Sequence, residues 1–296
     1  MKALRYGPQI ALAAFAVVAY SARAAVSYTT PGASYLQNFD SLPNSPENVS
    51  LGNSPTGWTD DNASPAAGNF SIVGWYLYYP TATTEGGFNG HQRFRNSGAP
   101  GNTGSFYSFG ASATTERALG DIGANTLAPD GQTGNDAGNI YIALRLFNNT
   151  GQTLDSFTLS YTGEQWRDGG TSTAETMTLS WSTTATAVSD PSTSFSLVPL
   201  LSWTSPKATA TAGGIDGNNA ANRVVVAPTT VTGINWAPGT DLWLRWTDAQ
   251  LSGKADQGMA IDDVSFSADV SVPEPSSMAL LSISALAFVA MRRREK

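Results

Sequence analysis

The chain of 296 residues contains no cysteine and a single histidine, His91. Without cysteine there are no disulfides, no thiol nucleophile and no thiolate metal site, so stability must come from core size or from bound ions. One histidine excludes a multi-histidine zinc site, and no Gly-x-Ser-x-Gly string offers a serine to pair with it. His91, within Asn89-Gly90-His91-Gln92-Arg93, is expected to be an ordinary loop or strand residue. Positive charge is also scarce. Between Ala25 and Pro275 there are 9 Lys and Arg against 22 Asp and Glu, a balance of −13. Such a body has no electrostatic footprint for nucleic acid and suits a soluble extracellular domain able to bind divalent cations.

What is present falls into three parts. Residues 1–24 have a basic start (Lys2, Arg5), an apolar stretch from Ile10 to Tyr20, and Ala22-Arg23-Ala24 with small residues where a signal peptidase reads. That is the pattern of a secretory signal cleaved after Ala24. About 11 apolar residues are too few to cross ~30 Å of hydrocarbon. At the other end Pro273-Glu274-Pro275 precedes an apolar segment, 277–291, and a closing basic run that begins Arg292-Arg293-Arg294. As a helix the segment would extend about 24 Å, a marginal span. The arginines after it are expected to stay cytoplasmic and leave the body outside. The two prolines are expected to make an extended, protease-accessible hinge.

The order Pro-Glu-Pro, short hydrophobic helix, arginine cluster, chain end resembles the sorting tail of exosortase substrates, the PEP-CTERM proteins. The resemblance covers about residues 272–296 and implies a Gram-negative bacterium. It also implies transient insertion in the inner membrane through the C-terminal helix, removal of the tail by an exosortase, and release to the cell surface or extracellular matrix. Proteins of this kind commonly accompany exopolysaccharide, which makes extracellular polysaccharide an expected partner.

The intervening body, 25–270, is rich in Gly, Ser, Thr, Asn and aromatics, and shows period-2 alternation throughout. Phe157, Leu159 and Tyr161 alternate with Thr158, Ser160 and Thr162; Met177, Leu179 and Trp181 with Thr178 and Ser180; Leu242, Leu244 and Trp246 with Trp243 and Arg245. These are half-buried strands. Further strands are expected at 34–39, 71–79, 105–109, 139–147, 195–203, 223–231 and 259–268. Glycine-rich turns separate them, and no window between the two ends has a helical period. Ten or more strands without strand–helix–strand alternation predict one all-β domain, a two-sheet antiparallel jelly-roll sandwich flanked by the signal helix and the C-terminal hydrophobic helix. Asn38-Phe39-Asp40-Ser41-Leu42-Pro43, Tyr107-Ser108-Phe109-Gly110, Arg117-Ala118-Leu119-Gly120, Tyr161–Arg167 and Met259-Ala260-Ile261-Asp262-Asp263-Val264 together resemble a body type recurrent among PEP-CTERM proteins. The Ile-Asp-Asp string also resembles the last strand of MAM-like and carbohydrate-binding jelly rolls. No catalytic residues come with either resemblance.

Three constellations can carry chemistry. Asp262 and Asp263 are neighbours on a strand, so one is expected to turn inward, where an unpaired carboxylate is costly. A calcium ion, or a partner such as Arg117, would relieve it. First and last strands usually adjoin in sandwiches, which nominates Asp40, Asp262 and Asp263 as ligands of one structural calcium. Glu164 and Asp168, four apart on one strand, share a face and could belong to a sugar cleft of a secreted glycoside hydrolase or lyase. A strand-to-strand salt bridge is the competing role for Glu164. Finally, Trp75, Tyr76, Tyr78 and Trp166 could stack on sugar rings, because both faces of the 75–79 strand are aromatic. The acidic, glycine-rich stretch 130–136 fits no calcium-loop pattern and is expected to be a solvated turn. The combined expectation is a non-enzymatic, exported structural or adhesive protein with weak polysaccharide binding.

Overall fold

The computed structural model describes residues 25–44, 72–78, 94–97, 104–112, 114–123, 138–249 and 256–270. The signal segment, His91, the 130–136 stretch and the tail with Pro273, Glu274, Pro275, Arg292, Arg293 and Arg294 lie outside them. The strands in chain order are β1 Val26–Tyr28, β2 Tyr35–Gln37, β3 Trp75–Tyr78, β4 Phe94–Ser97, β5 Ser105–Phe109, β6 Ala118–Ile122, β7 Ile140–Asn148, β8 Leu154–Asp168, β9 Thr176–Ser182, β10 Ser196–Leu197, β11 Trp203–Thr204, β12 Gly213–Gly214, β13 Arg223–Trp236, β14 Asp241–Asp248 and β15 Gly258–Asp269. Only short 3₁₀ turns interrupt them, and no helix among the described residues is long and apolar enough to cross a membrane.

The strands form the two packed sheets of a jelly-roll sandwich. One is ordered β1-β7-β14-β9-β10, with β3 beside β1 on the same edge of β7 and β11 beside β10 on β9. The other is ordered β12-β8-β15-β6-β5-β4, with β13 also on β8 and β2 also on β15. Pairing is antiparallel except at two outer pairs, β1 with β7 and β4 with β5. Alternation decides what lies between the sheets. Leu242, Leu244 and Trp246 of β14 face Phe157, Leu159 and Tyr161 of β8 across a core that also takes Phe39, Trp75, Phe266 and Trp236.

Both sheets are also covered outside. Tyr76, Tyr141 and Trp243 pack under Ala185 and Val188 of the segment after β9. On the second sheet Tyr107, Phe109, Ala118, Ile122, Trp166 and Ala260 form a third cluster. Several strands therefore carry apolar side chains on both faces, which simple alternation did not anticipate.

One expected strand is broken. Across 195–203 only Ser196–Leu197 and the start of Trp203–Thr204 pair, separated by a 3₁₀ turn at Pro199–Leu201. Pro199 has no N–H to give a ladder, and Tyr161 Oη donates to Leu201 O, holding the turn against the core. The expected strand at 223–231 instead runs to Trp236; Pro228 is accommodated because β13 is an edge strand whose register slips between Val226 and Thr229.

Candidate functional site

The register of β8, β13 and β15 builds the site. Glu164 is opposite Arg223 on one side and Ala260 on the other, and Asp262 is opposite Thr162. Glu164 and Asp262 are thus diagonal neighbours on the face turned away from the main core. Past Asp262 the register slips before Ser265, and Asp263 takes a positive φ of 51°. The extra residue is a bulge, which re-aims side chains at the place where it occurs. Asp262 is buried and Asp263 exposed, but the agent is this bulge rather than strict alternation.

Glu116, on the connection between β5 and β6, completes the group. One carboxylate oxygen each from Glu116, Glu164 and Asp262 lie within 4.8 Å of one another. The connection 215–222 forms a roof: Ile215 N donates to Trp166 O at 2.9 Å, and a side chain on Gly217 would overlap the Trp166 indole. Asn218 Nδ2 donates to Glu116 Oε2, and Arg223 Nη1 to Asn218 O at 3.4 Å. Glu164 has no exposed surface; its Oε2 accepts from Trp166 Nε1 at 3.1 Å, and its Oε1 is 3.8 Å from Arg223 Nη2. Asp262 is 4% exposed, and its Oδ1 is buried with no hydrogen-bond donor among the described residues.

The electrostatics follow. Burial, then the charge of Glu116, push the Glu164 carboxyl up to about 7, against the Trp166 hydrogen bond and the Arg223 charge. Burial drives Asp262 up to about 9; a backbone hydrogen bond from Asp263 opposes this, while Asp263, Glu164 and Glu116 add to it. Among the described residues these three carboxylates face one half-exposed arginine and are short of positive charge. The donor set, all oxygen with no nitrogen or sulfur, is the chemistry that hard cations prefer.

Of the three nominated calcium ligands only Asp262 belongs to this group. Asp40 is exposed and accepts from Asn38 Nδ2 at 2.6 Å in a local turn. The Asp263 side chain acts on Asp262 and Glu164 as a neighbouring charge, while its backbone hydrogen-bonds the Asp262 carboxyl. Arg117 is not the counter-charge; it donates to Ser108 Oγ at 2.9 Å, to Ser108 O, and to Ala111 O at 3.2 Å. Asp168 turns aside to Thr209 Oγ1 (2.7 Å) and Gly170 N (3.0 Å), so it makes no cleft with Glu164. Glu116, Asn218 and Arg223 were missed. Glu116 sits immediately before the Arg117–Gly120 string, and only the register reveals it as a neighbour of Glu164.

The aromatic platform does not survive. Trp75, Tyr76 and Trp166 are at most 2% exposed. Trp75 stacks on Trp246 with centroids 5.5 Å apart and donates Nε1 to Tyr35 Oη at 2.9 Å. Tyr76 packs on Trp243, and Trp166 lies parallel to Phe109 at 5.9 Å. Tyr78 keeps partial exposure, stacked on Tyr141 at 5.7 Å. Aromatics on both faces of β3 reflect covering on both faces, not an open one.

Comparison with known proteins adds the tail. Residues 271–294 match the PEP-CTERM protein-sorting motif. The chain carries that motif. It implies export, processing by an exosortase and sorting to the cell surface. No curated protein sequence matches the chain. Among solved structures the chain is similar to the CBM22-1 xylan-binding domain of Paenibacillus barcinonensis Xyn10C, at 10% identity over 83% of this chain and 100% of that one, TM-score 0.32. It is similar also to the K3 cleaved adhesin domain of Lys-gingipain from Porphyromonas gingivalis w83, at 14% identity over 66% and 93%, TM-score 0.31. A third, the Arthrobacter globiformis T6 isomalto-dextranase, is 11% identical over 82% of this chain and 33% of that one, TM-score 0.27. Likenesses this distant carry no argument about what this chain binds.

Proposed function

We propose that this PEP-CTERM protein is a non-catalytic, surface-displayed sandwich with a structural or adhesive role, whose outer face is held in shape by calcium at Glu116, Glu164 and Asp262. One observation carries the reading: the Asp262 Oδ1 is buried without a donor beside two further carboxylates. Leaving it so costs about 1 to 3 kcal/mol, more if it is charged, and a cation removes that cost. The same burial speaks against hydrolysis, since Glu164 lies under the 215–222 roof with no surface to meet a sugar. The signal segment 1–24 is the substrate of a signal peptidase. Contact with extracellular polysaccharide, where it occurs, uses surface other than Trp75, Tyr76 and Trp166.

The test uses the full chain purified in mild detergent. Its melting temperature is expected to rise with calcium over chelator, and Asp262→Asn to lose most of that rise. Cells displaying the wild-type protein are expected to aggregate in calcium, and cells displaying Asp262→Asn to aggregate less. Equal calcium response in both chains sinks the cation; detectable glycoside cleavage lost in Glu164→Gln sinks the non-catalytic role.

A further inference from the structure

One border of the sandwich is unlike the others. β1, β2, β3, β4, β10, β11 and β12, which also border the sheets, are two to four residues long. β13 runs for 14 residues and pairs, among the described residues, with β8 alone. Short edges offer a second chain little to pair with, whereas a long one is a template for it. The usual lysine guard is also missing. Although the body carries a balance of −13, no residue from Val224 to Thr240 is charged. Residues 224–226 and 229–232 are all β-branched, the composition that strand pairing favours. Val225 is 75% exposed, and the turn Pro199–Leu201, which lies against β13, leaves Leu200 78% exposed.

The irregularity in β13 gives the edge a match to itself. Its pairing with β8 falls into two regular runs, 223–226 and 229–232, separated by the slip at Ala227-Pro228. The slip shifts the alternation by one residue. Val225 faces outward before it, Thr230 and Thr232 after it, while Val224, Val226 and Val231 turn to the core. A two-fold axis through Ala227-Pro228, perpendicular to the sheet, lays the first run of one copy antiparallel to the second run of another. Arg223 then stands opposite Thr232, Val224 opposite Val231, Val225 opposite Thr230 and Val226 opposite Thr229. Outward side chains meet outward ones, and core-side ones meet core-side ones. A regular strand turned about an axis between two residues would set outward against inward. Proline commonly guards an edge by withholding a donor, but Pro228 falls at the axis, between the two ladders.

We propose that β13 joins a second copy of this chain edge to edge in that register, making one continuous sheet of two. The occupant is another copy because the match lies between the two halves of the strand itself. Charge agrees: two strongly acidic bodies repel, and this edge brings only Arg223 to the two runs. Contact of the same surface on both molecules is isologous and closes as a dimer. The proposal rests on the surface-displayed, adhesive reading for its role, and supplies the contact between copies that an adhesive protein uses. Backbone pairing gives the affinity, and the outward residues fix the register.

The test is sedimentation equilibrium of the full chain in mild detergent, in calcium and in chelator, with single-cysteine cross-linking. The chain has no cysteine of its own, so any disulfide formed joins two copies. A dimer is expected. Thr232 is exposed, so its replacement spares the fold. Thr232→Lys sets a lysine opposite Arg223 of the other copy, twice per dimer, and is expected to raise the dissociation constant at least about tenfold. Thr232→Glu faces the same arginine with the opposite charge and is expected to raise it less than about threefold. Ala227→Cys, beside the axis, is expected to cross-link on oxidation; Thr232→Cys, roughly 30 Å from its own counterpart, is not. A monomeric wild type overturns the edge pairing, and leaves the calcium site to be judged by its own melting shift. A dimer equally tight in Thr232→Lys, or one that cross-links through Thr232→Cys and not Ala227→Cys, also overturns it. A dimer that behaves as expected in a chain whose melting ignores calcium upholds the pairing and sinks the cation.

Discussion

The Arg245 guanidinium lies 4.1 Å from the centre of the Tyr141 ring, and Phe195 closes the other side at 3.7 Å. Arg245 is one of the largest fully buried side chains in the protein. Its Nη1 donates to Val188 O at 3.1 Å and to Asp190 O at 2.6 Å, and its Nη2 to Ser192 Oγ at 3.3 Å. Arg245 therefore pins the segment after β9 onto the outer face of the first sheet. Only a planar, multi-donor cation can stack between rings and reach three acceptors at once.

Arg245→Ala is expected to destabilise the protein by about 3 kcal/mol or more, because it removes a desolvated cation–π pair and strips donors from buried carbonyls. Arg245→Lys keeps the charge but not the fork and is expected to recover less than half of that loss. Urea unfolding followed by tryptophan fluorescence measures both. A lysine variant as stable as wild type would mean that charge alone matters there.

Gly163 shows why a small residue interrupts the β8 pattern. It occupies a core-facing position opposite Ile261, and a side chain there would overlap the Trp203 indole, itself fixed in the core. Gly163→Ala is expected to cost about 1 to 3 kcal/mol through overpacking. The double variant Gly163→Ala, Trp203→Leu tests the cause: coupling that returns part of the loss supports the clash, and strict additivity refutes it.

The alternation of Phe157–Tyr161, Met177–Trp181 and Leu242–Trp246 was enough to place the central strands and the two-sheet class, since period 2 with one buried face has few other solutions. It could not reach Glu116 or Arg223, whose proximity to Glu164 depends on register and on a long connection. Nor could it distinguish an open aromatic face from a covered one, because Tyr76 and Tyr78 look identical in sequence whether solvent or the segment after β9 lies over them. The bulge at Asp263 was equally hidden: two aspartates in a row specify no slip.

Trp166 links the outer aromatic cluster to the carboxylates, donating Nε1 to Glu164 Oε2. Trp166→Phe keeps an aromatic face toward Phe109 but removes the donor that stabilises the Glu164 anion. The Glu164 carboxyl, already near 7, is expected to titrate at still higher pH. Carbon-13 NMR of the side-chain carboxyl, recorded without calcium, follows it. A downward displacement would show that Arg223 or solvent, not the indole, governs Glu164.

The raised carboxyls also set the sign of the pH dependence. Glu164 binds its proton up to about pH 7 in the folded chain but only to about 4.5 when unfolded, and Asp262 holds its own to about 9 against 3.8. Between those limits the folded state carries more protons, so without metal each group stabilises the fold fully below its unfolded value. That contribution is lost as pH rises through the folded one. In chelator the melting temperature is therefore expected to fall from pH 5 to pH 8. Glu164→Gln is expected to flatten the part of the fall below about pH 7 and to leave the part above it. On the proposed calcium binding, the ion would compete with these protons, so its stabilisation is expected to grow over the same range and to be small at pH 5. Calorimetry at the two pH values, with calcium and with chelator, gives four melting temperatures. A calcium increment equal at pH 5 and pH 8 would mean that the ion does not bind through these carboxylates.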